Sequence, residues 1–253
     1  MKKYILITLF SLAIVISVFC TGSISAKNDT NKVQISNNCV VLELFTSQGC
    51  SSCPPADRLL SSYANREDIA ALSFHVDYWN RLGWKDPFSN HIFSERQSKY
   101  ASSFGKSGVY TPQIIINGEK EMVGSDENKI SGTIKQFQKQ QSTSQIIINE
   151  IKTHDKQVWV TYSVKGKLKN NVVNIALVQN KVTTSVKAGE NDGVTITNYN
   201  VVRNFKTITT FSEEKNTDSA DLVSGIDKKD FTVILFLQDA SSGKIYAAVK
   251  SPI

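Results

Sequence analysis

Two apolar runs frame the first third of the chain. Residues 40–45 (VVLELF) and 69–76 (IAALSFHV) are almost continuous in hydrophobic side chains, the pattern of strands buried on both faces. Between them, residues 54–64 place Leu59, Leu60 and Tyr63 on one helical face. Pro54 and Pro55 suit the first turn of that helix, where a missing N–H is not felt. Strand, helix and second short strand predict a βαβ unit with parallel strands. Residues 80–88 interrupt the pattern with Gly83, Trp84 and Pro87. Residues 89–104 resume a helical one, with Ser89 as cap, Phe93, Tyr100 and Phe104 as apolar positions, and Gly105 and Gly108 past the end. Residues 109–118 (VYTPQIIING) lead into a hairpin that turns at Asn117-Gly118 and returns over residues 119–124. Pro112 heads the first hairpin strand, where a proline is tolerated. Residues 126–138 form a closing helix, with Ile130, Ile134 and Phe137 on one face.

From residue 145 the period changes. Residues 145–151, 158–164, 172–179, 194–211, 231–237 and 245–249 alternate or run apolar between Gly, Asn and Asp turns, one of them at His154-Asp155-Lys156. The expected fold class is an α/β domain, residues 39–142, followed by a small antiparallel β-sandwich-like domain, residues 145–253.

The chemistry concentrates where the first strand meets the first helix. A polar turn, residues 46–49, is followed by Cys50 and Cys53 with two residues between them. A cysteine at a helix start meets free backbone N–H groups and the positive end of the helix dipole. Both favour the thiolate, which is the attacking species in disulfide exchange. Cys50, at the exposed helix start, is the expected nucleophile and the first thiol to be alkylated; Cys53, one turn on, resolves the mixed disulfide. Ser51 and Ser52 carry small hydroxyls able to donate to a thiolate, and with Thr111 they are candidate substrate contacts. Asp77, at the carboxyl end of the second strand, where sites gather in open α/β sheets, reads as a proton acceptor for Cys53 or as a turn cap. His75 reads as a core histidine or, with Cys50 and Cys53, as part of a soft copper site. Glu43 either tunes proton transfer at the dithiol or faces outward. Asp57 with Arg58 reads as a solvated pair, and Asn200 and Arg203 as solvated strand residues or, alternatively, functional ones.

The order β-α-β-α-β-β-α, with Cys-x-x-C at the first strand–helix junction and Thr111-Pro112 ahead of the hairpin, resembles the thioredoxin fold. The resemblance implies a cis-proline at Pro112, facing the disulfide. ELFTSQGCSSCPPAD, FHVDYW, LGWKDPF, ERQ and YTPQ, spread over residues 40–124, are similar to a family of exported bacterial thioredoxin-like proteins catalogued as domain of unknown function 1223. GENDGVTITNYNVVRNF resembles the second half of that family more loosely. The resemblance implies a thioredoxin-like fold for residues 39–142 and leaves the activity open.

Composition adds compartment and partners. Lys2 and Lys3, an apolar stretch over residues 4–19 and small residues at 21–26 form a secretory signal pattern, residues 1–26, ahead of a polar leader, residues 27–38. An apolar run this short predicts cleavage and no lasting membrane span, and Phe19 before Cys20 argues against lipidation. The net charge of +6 falls to +4 without Lys2 and Lys3, and no basic cluster interleaves with aromatics, which excludes a nucleic-acid partner. After cleavage, Cys39, Cys50 and Cys53 remain, an odd number that is no disulfide scaffold. Cys39 is expected to be a small buried hydrophobe. The expectation is an exported thiol–disulfide exchange protein, periplasmic or extracellular, with an uncleaved membrane anchor as the alternative to cleavage, acting on protein or small-molecule disulfides or dithiols, with the Cys50–Cys53 disulfide in place of a cofactor and no resident metal. Its alternatives are a copper-binding module and a non-catalytic binding protein whose disulfide is structural.

Overall fold

The two apolar runs become adjacent parallel strands. β1 (Val40–Thr46) pairs along its length with β2 (Ile69–His75), with Val40 opposite Ile69 and Thr46 opposite His75. The structure, a computed structural model, describes residues 39–253 apart from 167 and 168. The expected signal segment and leader lie outside the described residues.

Helices cover both faces of this pair, so alternate residues of each strand are buried in opposite directions. α1 (Pro54–Ala64) and α3 (Glu127–Gln138) pack on the side of Val40, Leu42, Leu44, Ile69 and Ala71. α2 (His91–Ser103) packs on the side of Phe45, Leu72 and Phe74. α2 starts later than the sequence predicts, because Ser89 is already engaged with Asp86 and Asn80; Asn90 caps the helix instead, accepting from the Ile92 N–H at 3.2 Å. α1 ends against the far end of the chain, where Lys250 Nζ donates to the carbonyls of Ala64 and Arg66 at 3.3 and 2.7 Å.

β3 (Gln113–Ile116) runs antiparallel to β1, and β4 (Lys120–Val123) pairs with β3. Asn117 and Gly118, with Glu119, form the three-residue loop between them, and their φ of 49° and 68° are both positive. A Cβ on Gly118 would lie 1.8 Å from the Gly243 carbonyl oxygen, so that position admits only glycine.

The second half adds β5 (Gln145–His154), β6 (Gln157–Lys165), β7 (Asn171–Ser185), β8 (Thr195–Ile208), β9 (Asn216–Asp221), β10 (Phe231–Asp239) and β11 (Ile245–Pro252). The fold is mixed α/β. One eight-stranded mixed sheet has the order β11-β10-β7-β8-β2-β1-β3-β4, and a small antiparallel sheet has the order β5-β6-β9. Four second-half strands thus extend the first-half sheet. Val173, Ile175, Leu177, Val233 and Leu235 pack against the small sheet. Their alternates Ala176, Val178, Ile234 and Phe236 face the α2 side. Burial on both faces explains why β7 and β10 read as continuous apolar runs. β9 (NTDSAD) carries no such pattern and was not expected; it is held by its ladder with β6.

The two halves of the large sheet join at a single ladder pair, Ser73 opposite Val201. Asn200 supplements it: its Nδ2 donates to the Ala71 carbonyl at 3.0 Å. Asn200 is buried, and Arg203 is half-buried, 4.9 Å over the Phe88 ring and bonded to Gln179. Neither is the solvated strand residue the sequence implies.

Glu43 departs further from expectation. It neither reaches the dithiol nor faces outward. By strand parity it points under α2, where Arg96 Nε and a terminal guanidinium N–H donate to its two carboxylate oxygens at 2.5 and 3.0 Å. Tyr100 donates to the same carboxylate at 2.5 Å, and Gln238 Nε2 donates to the Tyr100 hydroxyl at 2.7 Å. The Arg96 guanidinium lies within 4.8–5.7 Å of the rings of Phe205, Tyr100, Phe236 and Phe74. Elements from both halves of the chain therefore meet on one buried ion pair. No helix among the described residues is long and apolar enough to cross a membrane.

Candidate functional site

The turn after β1 delivers Cys50 and Cys53 to the head of α1, where they are joined by a disulfide. Gly49 allows this close turn; a Cβ there would stand 3.3 Å from Trp79 Cβ. The donors around Cys50 are not the ones expected of a helix start. Pro54 and Pro55 have no N–H, and the N–H groups of Ala56 and Asp57 already donate to the Cys53 carbonyl at 2.9 and 3.1 Å. The groups that reach the sulfur are hydroxyls. Thr111 Oγ1 donates to Cys50 Sγ at 3.3 Å, and Ser52 Oγ lies at 3.3 Å. Trp79 Nε1 donates to Thr111 Oγ1 at 2.8 Å and fixes that hydroxyl. The Thr111–Pro112 peptide is cis.

Cys50 was expected to be exposed, and it is not: both cysteines are 0 % exposed. The second half closes on the turn that carries them. Residues 186–194 form the hairpin end between β7 and β8, closed by Val186 N–H to Val194 O at 2.9 Å. From it, Asn191 Nδ2 donates to the carbonyls of Gln48 and Cys50, both at 2.9 Å. Glu190 Oε2 accepts from the Ser51 N–H and hydroxyl at 2.9 and 2.8 Å. Those two bonds hold the Glu190 carboxyl below its ordinary pKa. Ser51 is thus turned to the hairpin rather than to the sulfur. Removing both contacts in Glu190→Ala/Asn191→Ala deletes four hydrogen bonds, each worth about 1 kcal/mol, so reduction of the disulfide by a small dithiol is expected to quicken by about tenfold or more. An unchanged rate in a stopped-flow comparison would show that the hairpin does not shield the sulfurs.

Asp77 is engaged by the first turn of α2. Ser94 Oγ donates to it at 2.5 Å and His91 Nδ1 is 3.1 Å away. Partial burial works against its charge, but those bonds hold its carboxyl below the usual carboxylate range. A second acid, expected as part of a solvated pair, is buried close in sequence to the dithiol. Asp57, one turn after Cys53 on the inner face of α1, is buried. Burial pushes its carboxyl up to about 6, against the opposing pull of His75. The Thr46 hydroxyl also favours its ionised form, although no bond of regular geometry joins them.

His75 is fully buried, with Nδ1 2.7 Å from Asp86 Oδ2. Asp86 Oδ2 also accepts the Gln48 N–H at 2.8 Å, tying β2 to the turn that carries Cys50. Burial opposes the charge of His75, but Asp86 prevails and its pKa is raised. Among the described residues no three Cys, His, Asp or Glu side chains are grouped to hold a metal. Cys39 is a free, buried thiol whose pKa is pushed up to about 12 by burial.

The chain belongs to a family described as a protein of unknown function, DUF1223, whose model matches residues 41–238. It is similar to the crystal structure of protein AGR_C_4864 from Agrobacterium tumefaciens, with 31% identity, 84% of this chain and 92% of that chain covered, and a TM-score of 0.65. It is also 27% identical over 99 residues to a probable thioredoxin from Archaeoglobus fulgidus, a match that covers 39% of this chain and 89% of the relative.

Proposed function

We propose that the protein is a thiol–disulfide exchange protein whose first half is thioredoxin-like. The observation that carries this reading is the Cys50–Cys53 disulfide at the head of α1, with the Thr111 hydroxyl on one sulfur and a buried acid, Asp57, one turn beyond the other. The strand order β2-β1-β3-β4, with helices on both faces, and the similarity to a probable thioredoxin support it. The signal pattern of residues 1–26 extends the proposal to an exported protein.

In the reduced protein, the Cys50 thiolate attacks one sulfur of a substrate disulfide. A Cys50–substrate disulfide forms and one substrate thiolate leaves. Cys53 gives its proton to the Asp57 carboxylate and attacks Cys50 Sγ. The Cys50–Cys53 disulfide forms, the second substrate thiolate departs, and two electrons have moved from the dithiol to the substrate. The same steps in reverse oxidise a substrate dithiol. Asp57 takes the role that sequence reading gave to Asp77. Its carboxyl, near 6, is matched to proton transfer at neutral pH.

The test is Cys53→Ser. It is expected to accumulate a mixed disulfide through Cys50, visible as a mass increase removed by reductant, while Cys50→Ser accumulates none. Absence of any adduct from Cys53→Ser would instead favour a structural bridge.

A further inference from the structure

Between α1 and the β1–β2 pair, four buried polar side chains are turned inward. Thr46 lies opposite His75 in the ladder, and both have the strand parity of Leu44 and Ala71, which pack under α1. Ser73 has the same parity, and Asp57 enters from the inner face of α1. Thr46 Oγ1, Asp57 Oδ1, Ser73 Oγ and His75 Nε2 have no hydrogen-bond partner among the described residues, although none of the four residues is more than 4 % exposed. Each buried group left in that state costs about 1–3 kcal/mol, so four of them around one site call for a functional reason. The opposite edge of the imidazole is fixed. Nδ1 is held by Asp86 at 2.7 Å, and the ring stands edge-on to Phe88 at 5.3 Å.

We propose that His75 and Asp86 are the positioning pair of the dithiol: Asp86 orients the imidazole, and the imidazole, turned toward α1 by strand parity, sets the Asp57 carboxyl group to take the proton of Cys53. The use in exchange rests on the reading given above; the coupling of the two side chains does not. Because Nδ1 must donate to the Asp86 carboxylate, Nε2 is an N–H donor in the imidazolium form, and in that form the orphan atoms are complementary, donor to carboxylate acceptor. The charged groups that act on them, besides His75 itself, come from two elements and a connecting segment. Asp57 and Arg58 come from α1, Asp86 from the segment after β2, and Arg203 from β8. Arg203 opposes the charge on His75, and the two aspartates favour it. Reciprocally, His75 is the largest influence that lowers the Asp57 carboxyl against its burial.

The experiment titrates both groups in the oxidised protein, where no exchange is needed. In His75→Asn, the Asp57 carboxyl midpoint, read from its infrared band against Asp57→Asn, is expected to rise by about one pH unit or more. Asp86→Asn moves it the same way. Coupling is reciprocal, so in Asp57→Asn the His75 imidazole midpoint, read by NMR, falls by a similar amount. That last variant removes a buried charge and keeps the side-chain shape, so it decides the matter even if the others do not fold. A His75 midpoint unmoved in Asp57→Asn, or an Asp57 midpoint unmoved in a folded His75→Asn, overturns the proposal. Failure of Cys53→Ser to trap an adduct would remove the exchange reading and leave these midpoints as they are.

Discussion

Arg96→Ala is expected to destabilise the protein by about 3–5 kcal/mol, the loss typical of a buried ion pair broken from one side. The variant leaves the Glu43 carboxylate in the core without its counter-charge, and Tyr100 alone cannot replace two guanidinium bonds. It also opens a hole among four aromatic rings drawn from β2, α2, β8 and β10. Urea unfolding followed by tryptophan fluorescence measures the loss. A change under about 1 kcal/mol, the scale of an exposed pair, would mean that solvent reaches Glu43. Glu43→Gln alone is expected to be damaging for the mirror-image reason, since it strands the guanidinium. Replacing both residues with apolar ones of similar volume should recover much of the loss, because such a pair is costly to bury and costlier to break.

Asp57→Asn is expected to change stability and exchange in opposite directions. The folded carboxyl, at about 6, holds its proton more tightly than the unfolded one, at 3.8. Proton uptake therefore favours the folded state at low pH. That contribution is complete below about pH 4 and is lost as pH rises through about 6. At pH 7 the ionised, buried carboxylate weakens the fold by about 3 kcal/mol, taking 1.36 kcal/mol for each pKa unit of that difference. The asparagine variant should recover most of this at pH 7 and almost none at pH 4. Meanwhile, the resolving step should slow by about a hundredfold, the lower end of what a positioned proton acceptor contributes. Urea unfolding at the two pH values and single-turnover release of substrate thiol measure the two effects. A variant that is less stable at pH 7, with an unaltered second step, would remove Asp57 from the mechanism.

Much of the scaffold was legible because its signals are local. β1, α1 and the Asn117-Gly118 hairpin lie where apolar runs, prolines and the turn dipeptide put them. Asp57 was missed for a reason that helical geometry exposes. Beside Arg58 it looks like a surface pair, but it stands four residues after Cys53 and three before Leu60, on the buried side of α1. Arg96 repeats the lesson, since it falls on the face of α2 set by Phe93 and Tyr100. A charge on an apolar stripe marks a buried ion pair whose partner lies elsewhere in the chain, and no local pattern names that partner. Glu190 and Asn191 lie in the stretch GENDGVTITNYNVVRNF that resembles the family, but no local pattern tied them to the dithiol. They act from a hairpin more than a hundred residues away in sequence, placed over the dithiol by the joint of β8 with β2. The exposure expected of Cys50 failed for the same reason.

Lys250 closes the carbonyl end of α1, and the hairpin at residues 186–194 closes the sulfur end. Both come late in the chain. A polypeptide made from its N-terminus forward therefore displays Cys50 and Cys53 well before either closure exists. During that interval the thiols have neither their cover nor a finished helix, and they meet whatever oxidant or thiol surrounds the nascent chain. Both closures need second-half strands in place, so the shelter of the disulfide is a property of the completed fold and not of the α1 segment that carries it.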